Sequence, residues 1–105
     1  MYARGVSMDL KPGEEEKYAR MIRDTIVPTL QKQQGFKGGY WLYDHDEGTG
    51  WGIALFESKA ALDATDETVN RFRDAARSEG LLSQPKLRKC EVFSSVGFVE
   101  ESKAA

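Results

Sequence analysis

Three polar side chains of this sequence have the chemistry to act on a small molecule: Arg4, Tyr43 and His45. His45 is the only histidine, and imidazole is the side chain whose ordinary pKa lies nearest to neutral pH. It can take a proton from a phenolic compound, and a tyrosine such as Tyr43 is the other candidate for this step. The guanidinium of Arg4 can stabilise the oxyanion that then develops. We therefore predict catalytic roles for these three residues.

Each of these residues also has a structural explanation. His45 stands beside a predicted turn, where a histidine is solvated and needs no function. Arg4 lies among apolar positions of a predicted strand, so its charge must either pair with a carboxylate or face a ligand anion. The run from Asp44 to Glu47 is not predicted to bind a metal ion, because consecutive strand residues point to opposite faces and the spacing matches no ligand set.

A second group of side chains can hold a flat apolar ligand. Trp41 and Phe56 are large and aromatic, whereas Gly52 and Ala54 leave space on the second strand of a predicted hairpin. We predict that these four residues bind the substrate. The alternative is an ordinary core, in which large side chains fill the space that small ones leave.

The elements that must position these residues follow from periodicity and turn signals. The sequence predicts first a strand at 2–10 and then a helix that begins near Glu14, is interrupted at Pro28 and is closed by Gly35. A hairpin of strands 39–46 and 51–57 follows. After it come a two-part helix at about 60–64 and 66–78, capped by Ser58, and a last strand at 88–99 that is predicted to be buried on both sides. This βαββαβ order is that of an α+β, ferredoxin-like domain with a four-stranded antiparallel sheet. We predict one domain at 1–99 and a flexible tail at 100–105.

Both faces of the predicted hairpin are apolar. If Asp46 pairs with Trp51, one face carries Tyr40, Leu42, Ile53 and Leu55, and the opposite face carries Trp41, Tyr43, Ala54 and Phe56. Two helices can cover only one face, and a large apolar surface is rarely left in water. We therefore predict a homodimer in which the two uncovered faces meet.

Composition excludes several classes of protein. The formal charge of -2 and the pI near 5.4 do not favour nucleic acid or an anionic membrane. The strand from Trp51 to Glu57 has no lysine or arginine, unlike the corresponding strand of RNA-recognition domains. Cys90 is the only cysteine, so a metal site made of paired cysteines is excluded. A single cysteine that forms no internal disulfide is typical of the reducing cytoplasm, where we expect this protein. We predict that the Cys90 side chain is a small buried hydrophobe.

Four segments together resemble a known family, the antibiotic-biosynthesis-monooxygenase-like domains of the dimeric α+β barrel superfamily. They are Met1-Tyr2-Ala3-Arg4, Leu10-Lys11-Pro12-Gly13, Gln33-Gln34-Gly35-Phe36-Lys37-Gly38 and Leu55-Phe56-Glu57-Ser58. The resemblance spans residues 1–99. It implies a homodimer whose two sheets face each other, with the helices outside.

The resemblance also implies an activity. Members with a known function often oxidise small aromatic or quinol-like molecules with oxygen and without a bound cofactor, and one branch degrades haem. Phe56 stands where relatives often have a tryptophan, and no histidine lies between Ser58 and Ser78 to ligate haem iron. We therefore predict a cofactor-independent monooxygenase. The alternative is a non-catalytic homodimer that binds a small apolar or aromatic molecule or serves a structural role.

Overall fold

A computed structural model of the chain describes residues 1–80 and 85–97, which form the predicted βαββαβ order with each helical segment broken once or more. The elements are β1 (Tyr2–Asp9), α1 (Glu15–Met21), a π-helical turn (Ile22–Ile26), α2 (Val27–Gln31), β2 (Phe36–Asp44), β3 (Thr49–Phe56), α3 (Lys59–Asp63), α4 (Asp66–Ser78) and β4 (Lys86–Glu91). The sheet is antiparallel throughout, with strand order β2-β3-β1-β4. The ferredoxin-like fold class is confirmed.

The hairpin of β2 and β3 has a different register from the predicted one. Trp51 pairs with Leu42 rather than with Asp46. The reason is the turn: the Asp44 carboxylate accepts hydrogen bonds from the backbone N–H of Asp46 and of Glu47, and Gly48 adopts a positive φ of 69°. The turn therefore includes residues that were predicted to pair between the two strands. The register changes by an even number of residues, so each side chain stays on its predicted face.

The interruption of the first helix lies just ahead of Pro28. Proline has no N–H to donate and its ring crowds the preceding turn, so the regular α-helical pattern gives way to the π-helical turn Ile22–Ile26 before α2 begins. Gly35 closes this helical segment with a positive φ of 85°. Ser58 caps α3, since its Oγ accepts a hydrogen bond from the N–H of Ala61 at 3.1 Å. These three predictions are confirmed.

The prediction for the last strand is wrong in its extent and burial. β4 ends at Glu91, residues 92–97 form no strand, and most of β4 is exposed. Among the described strands, β4 lies at the sheet edge and pairs with β1 alone, and its lysine and arginine side chains reach water. Cys90 is accordingly exposed and not buried. Residues 81–84, the predicted strand end at 98–99 and the predicted tail at 100–105 lie outside the described residues.

The helices cover one face of the sheet. Leu30, Ala54, Phe56 and Leu62 form one buried cluster there, and Met8, Leu10 and Tyr18 form a second cluster. The opposite face carries large apolar side chains that are about half exposed: Tyr40, Leu42, Trp51 and Ile53. No helix among the described residues has the length and apolarity to cross a membrane.

Candidate functional site

A partly enclosed cavity of about 80 Å³ lies between the sheet and the helices. The sheet contributes to its wall Arg4, Trp41, Gly52, Ala54 and Phe56, and the helices contribute Tyr18, Met21, Phe72, Arg73 and Ala76, among others. All four residues predicted to bind substrate line this cavity, together with the predicted catalytic residue Arg4. The large side chains on this face therefore leave space between sheet and helices instead of filling it.

Trp41 and Gly52 are direct partners across β2 and β3. A Cβ atom placed on Gly52 would lie 2.9 Å from Cδ1 and 3.0 Å from Nε1 of Trp41. The indole therefore rests on the bare backbone of Gly52, and only glycine leaves room for it. Gly39 has a similar relation to the far end of the same ring, because its Cβ would lie 3.0 Å from Cη2 of Trp41. Two glycines thus fix the ring that forms one wall of the cavity.

Arg4 is buried and makes the carboxylate pair that its position in β1 requires. Its Nη2 donates to Oδ1 of Asp66 at 2.6 Å, and it also approaches the carbonyl of Leu62 at 3.2 Å and Oγ1 of Thr65 at 3.3 Å. The hydrogen bond from Arg4, followed by one from Lys89, lowers the pKa of the Asp66 carboxyl. The Nε of Arg4 is buried without a hydrogen-bond partner among the described residues. Arg4 is therefore paired on one edge of its guanidinium and unsatisfied on another.

Tyr43 and His45 lie outside the cavity wall. The hydroxyl of Tyr43 donates to Oε2 of Glu15 at 3.3 Å, and partial burial followed by the charge of Glu15 raises the pKa of this phenol. His45 is exposed in the turn after β2, and its ring meets that of Tyr43 edge-on at 4.9 Å. The structure does not bring either residue to Arg4, and their catalytic roles stay predictions.

Sequence reasoning missed Tyr18 as a cavity residue. Its phenol lines the cavity from α1, and burial raises the pKa of this hydroxyl to about 12. At neutral pH it is therefore a hydrogen-bond donor and not a base. Tyr18 fits the apolar stripe of its helix, so periodicity alone gave it only a packing role.

Arg73 is the second cavity residue that sequence reasoning missed. It lines the cavity from α4, its Nη2 donates to Oδ1 of Asn70 at 3.0 Å, and its Nε is buried without a partner among the described residues. One signal could have identified it: Arg73 follows Val69 by four residues and precedes Ala76 by three, so it shares the inward stripe of the helix.

Among the described residues of the cavity wall, the charged and phenolic side chains are Arg4, Tyr18 and Arg73. All three donate hydrogen bonds. Within 1–80 and 85–97, no group of three or more histidine, cysteine, aspartate or glutamate side chains is arranged to hold a metal ion. The site can therefore surround a ring with apolar side chains and offer N–H and O–H donors to its oxygen atoms.

Neither protein-family models nor curated proteins match the sequence. Solved structures do match the fold. A monooxygenase from the gene ActVA-Orf6 of Streptomyces coelicolor, in complex with the ligand nanaomycin D, is 17% identical over 90% of this chain and 89% of its own, with a TM-score of 0.74. A candidate antibiotic biosynthesis monooxygenase of Deinococcus radiodurans is 13% identical over 92% and 97%, with a TM-score of 0.72. A variant of MhuD with two manganese protoporphyrin IX molecules per active site is 18% identical over 92% and 99%, with a TM-score of 0.71.

These likenesses confirm the predicted resemblance to antibiotic-biosynthesis-monooxygenase-like domains at the level of the fold. At such low identity they do not carry a substrate or a catalytic residue from one chain to another.

Proposed function

We propose that this protein is a cofactor-independent monooxygenase that oxidises a small aromatic or quinol-like molecule in the cavity between sheet and helices. The observation that carries the proposal is the cavity itself, an apolar space walled by Trp41, Phe56 and Phe72 and bordered by two guanidinium groups. The structural neighbours named as monooxygenases support the same reaction class.

The size of the cavity limits the ligand. A dry cavity of about 150 Å³ accommodates benzene, so a space of about 80 Å³ takes a single ring only if side chains at its partly open side move. A porphyrin is far larger than benzene and does not fit this space. No histidine lies on α3 or α4 to hold its iron. The residues therefore do not fit haem, although a structural neighbour binds a porphyrin.

In the proposed reaction the substrate supplies the electrons. When a quinol becomes a hydroxyquinone, hydroxylation of one ring C–H and oxidation of the quinol to the quinone together supply four electrons. They reduce one O₂ molecule, of which one oxygen atom enters the substrate and the other leaves as water. The step begins with loss of a substrate proton, which leaves an electron-rich anion. The protein positions the ring, excludes water and stabilises the anion.

We assign the stabilising role to Arg4, which lines the cavity and whose Nε is buried without a hydrogen-bond partner in residues 1–80 and 85–97. Tyr18 donates a hydrogen bond to an oxygen of the substrate, because its raised pKa keeps it protonated at neutral pH. His45 and Tyr43 accept the proton only by way of solvent, since neither lines the cavity.

The protein acts as a homodimer in this proposal. Tyr40, Leu42, Trp51 and Ile53 form an apolar surface on the sheet face that the helices leave open. A second copy that presents the same surface covers it symmetrically.

Oxygen uptake with a single-ring quinol tests the proposed function. We expect uptake above that of boiled protein, and we expect Ala76→Leu, which fills the cavity from α4, to abolish it. Ala75→Leu is the matched control, because the neighbouring side chain is exposed on the same helix. Thermal unfolding of both variants separates loss of the cavity from loss of the fold. Uptake that never exceeds the boiled control, or that is equal in the two variants, contradicts the proposal.

A non-catalytic binding protein is the second candidate. It is favoured by the absence of histidine and of carboxylate side chains among the described cavity residues, and by Phe56 at the position where relatives often have tryptophan. Ring binding that Ala76→Leu blocks, without oxygen uptake, would assign this function instead.

A further inference from the structure

A polar cleft adjoins the apolar cavity. It is lined by Arg4, Asp66, Asn70, Leu87, Arg88 and Lys89. Arg4 and Leu87 border both spaces, so cavity and cleft share a wall. From α4, Asp66 and Asn70 line the cleft and Arg73 lines the cavity, and these three residues follow each other at helical spacing.

The shared wall is rich in positive charge. Three cationic side chains and one carboxylate line the cleft, and Arg73 adds a further cation from the cavity side. Asp66 is occupied by Arg4 at 2.6 Å and by Lys89 at 3.0 Å. Arg73 has no carboxylate within ion-pair distance in residues 1–80 and 85–97, and its side-chain partner is the neutral Asn70.

Two donors in this wall lack acceptors. The Nε atoms of Arg4 and Arg73 are both buried without a hydrogen-bond partner among the described residues. Buried donors are ordinarily satisfied, and an unsatisfied one on a cation is costly. Both side chains line the cavity. When they shift to admit a ligand, its oxygen atom supplies the missing acceptor, whereas a purely apolar ligand leaves both donors unsatisfied.

We propose that cavity and cleft form one amphipathic site that selects a single-ring aromatic molecule with an anionic oxygen group, and that Arg73 is its specificity-determining residue. The ring occupies the apolar space near Trp41, and the anion faces the Arg4–Arg73 wall. This inference rests on the proposed function for the place of the ring, and it adds the charge of the ligand and a residue that recognises it.

Binding of benzoate and benzamide tests the inference, because the two probes share ring and shape and differ in charge. We expect calorimetry with the full chain to show that benzoate binds about tenfold or more tightly than benzamide at neutral pH. Arg73→Met should remove most of this preference, because it removes the cation and keeps a side chain of similar length. Arg77→Met is the matched control, since Arg77 is exposed one turn further along α4 and should leave the preference intact.

A phenol arm distinguishes the two common sources of an anionic oxygen. 4-Nitrophenol changes colour when it ionises, and we expect the bound probe to ionise at lower pH than the free probe in wild type but not in Arg73→Met. A benzoate preference without this shift restricts the site to carboxylates and still supports the inference.

Equal binding of benzoate and benzamide to wild type overturns the inference and leaves the proposed function standing, and this comparison needs no variant. An unchanged preference in Arg73→Met overturns the assignment to Arg73. If neither probe binds, the inference is overturned. That result also contradicts a ligand-binding role for the cavity, on which the proposed function depends.

Discussion

Tyr18 places a phenol in the wall of the cavity, where it is 7% exposed. Burial raises its pKa from 10.0 to about 12, so the folded state favours the protonated form. The corresponding stability is fully present below pH 10 and is lost as the pH rises toward 12. We expect a loss on the order of 3 kcal/mol in denaturant titrations across that range. Tyr18→Phe should flatten this dependence, and a variant that loses as much stability as wild type would contradict the assignment.

Gly52 is required by the indole that lies on it. Gly52→Ala would bring a Cβ to 2.9 Å from Trp41, so the ring must shift or the strands must separate. We expect a destabilisation of about 1 to 3 kcal/mol and a changed Trp41 fluorescence spectrum. Gly5→Ala is the control, because nothing lies within 4 Å of the added Cβ, and it should change stability by less than about 1 kcal/mol. Equal effects of the two substitutions would rule out this packing.

At the scale of elements, a network of charges joins the helices to the edge strand. Lys89 of β4 donates to Asp63 at the end of α3 at 2.7 Å and to Asp66 of α4 at 3.0 Å. Lys59 also donates to Asp63, at 2.9 Å. The pairs are exposed, so each contributes little by itself, but together they fix β4 beside the α3–α4 segment.

This network predicts that the free energy of unfolding decreases when the pH is lowered into the acid range. The hydrogen bond from Lys89, followed by that from Lys59, lowers the pKa of Asp63 to about 2. In the unfolded state the pKa of this carboxyl is about 3.9. The stability that the network contributes is therefore present above that pH and is lost as the pH falls toward 2. Asp63→Asn should therefore lose less stability than wild type on acidification. Asp74→Asn is the control, since it removes an exposed carboxylate of α4 that does not contact β4. A parallel acid profile for Asp63→Asn and wild type would contradict the network.

The elements themselves were predictable because each carries a local signal. The proline, the capping serine and the closing glycines mark helix breaks and ends wherever they occur in a chain. The register of the hairpin was not predictable, since it depends on how many residues the Asp44 turn consumes. The exposure of β4 follows from its place at the edge of the sheet, and its lysine and arginine residues were a signal of that place that the prediction of a buried strand overlooked.

The site could be predicted only in part, for a related reason. Successive side chains of a strand point to opposite faces of the sheet, so the sequence alone predicts which strand residues share the face of the cavity. These residues are Trp41, Gly52, Ala54 and Phe56. Arg73 and Tyr18 come from helices, whose rotation relative to the sheet is decided by packing. His45 was a candidate catalytic residue because of the chemistry of its imidazole alone. Its place in the turn after β2 keeps it out of the cavity wall.

At the scale of the whole molecule, the described helices cover one face of the sheet and leave large apolar side chains exposed on the other. Tyr40, Leu42, Trp51 and Ile53 are each 42% to 53% exposed, and they are contiguous across β2 and β3. We expect light scattering at micromolar concentration to give twice the 11.8 kDa mass of the chain. Ile53→Lys should shift the protein to a monomer, whereas Ala60→Lys, on the exposed surface of α3, should not. A wild-type monomer would contradict the dimer.

The most direct measurement of the central claim uses the two tryptophans, which lie on opposite faces of the sheet. Trp51→Phe leaves Trp41 at the cavity as the only tryptophan, and Trp41→Phe leaves Trp51 on the open face. Titration with benzoate, or with benzamide at higher concentration, should change the fluorescence of the Trp51→Phe protein saturably and leave that of the Trp41→Phe protein unchanged. If neither protein responds, or only the one that retains Trp51, the cavity between sheet and helices is not the ligand site.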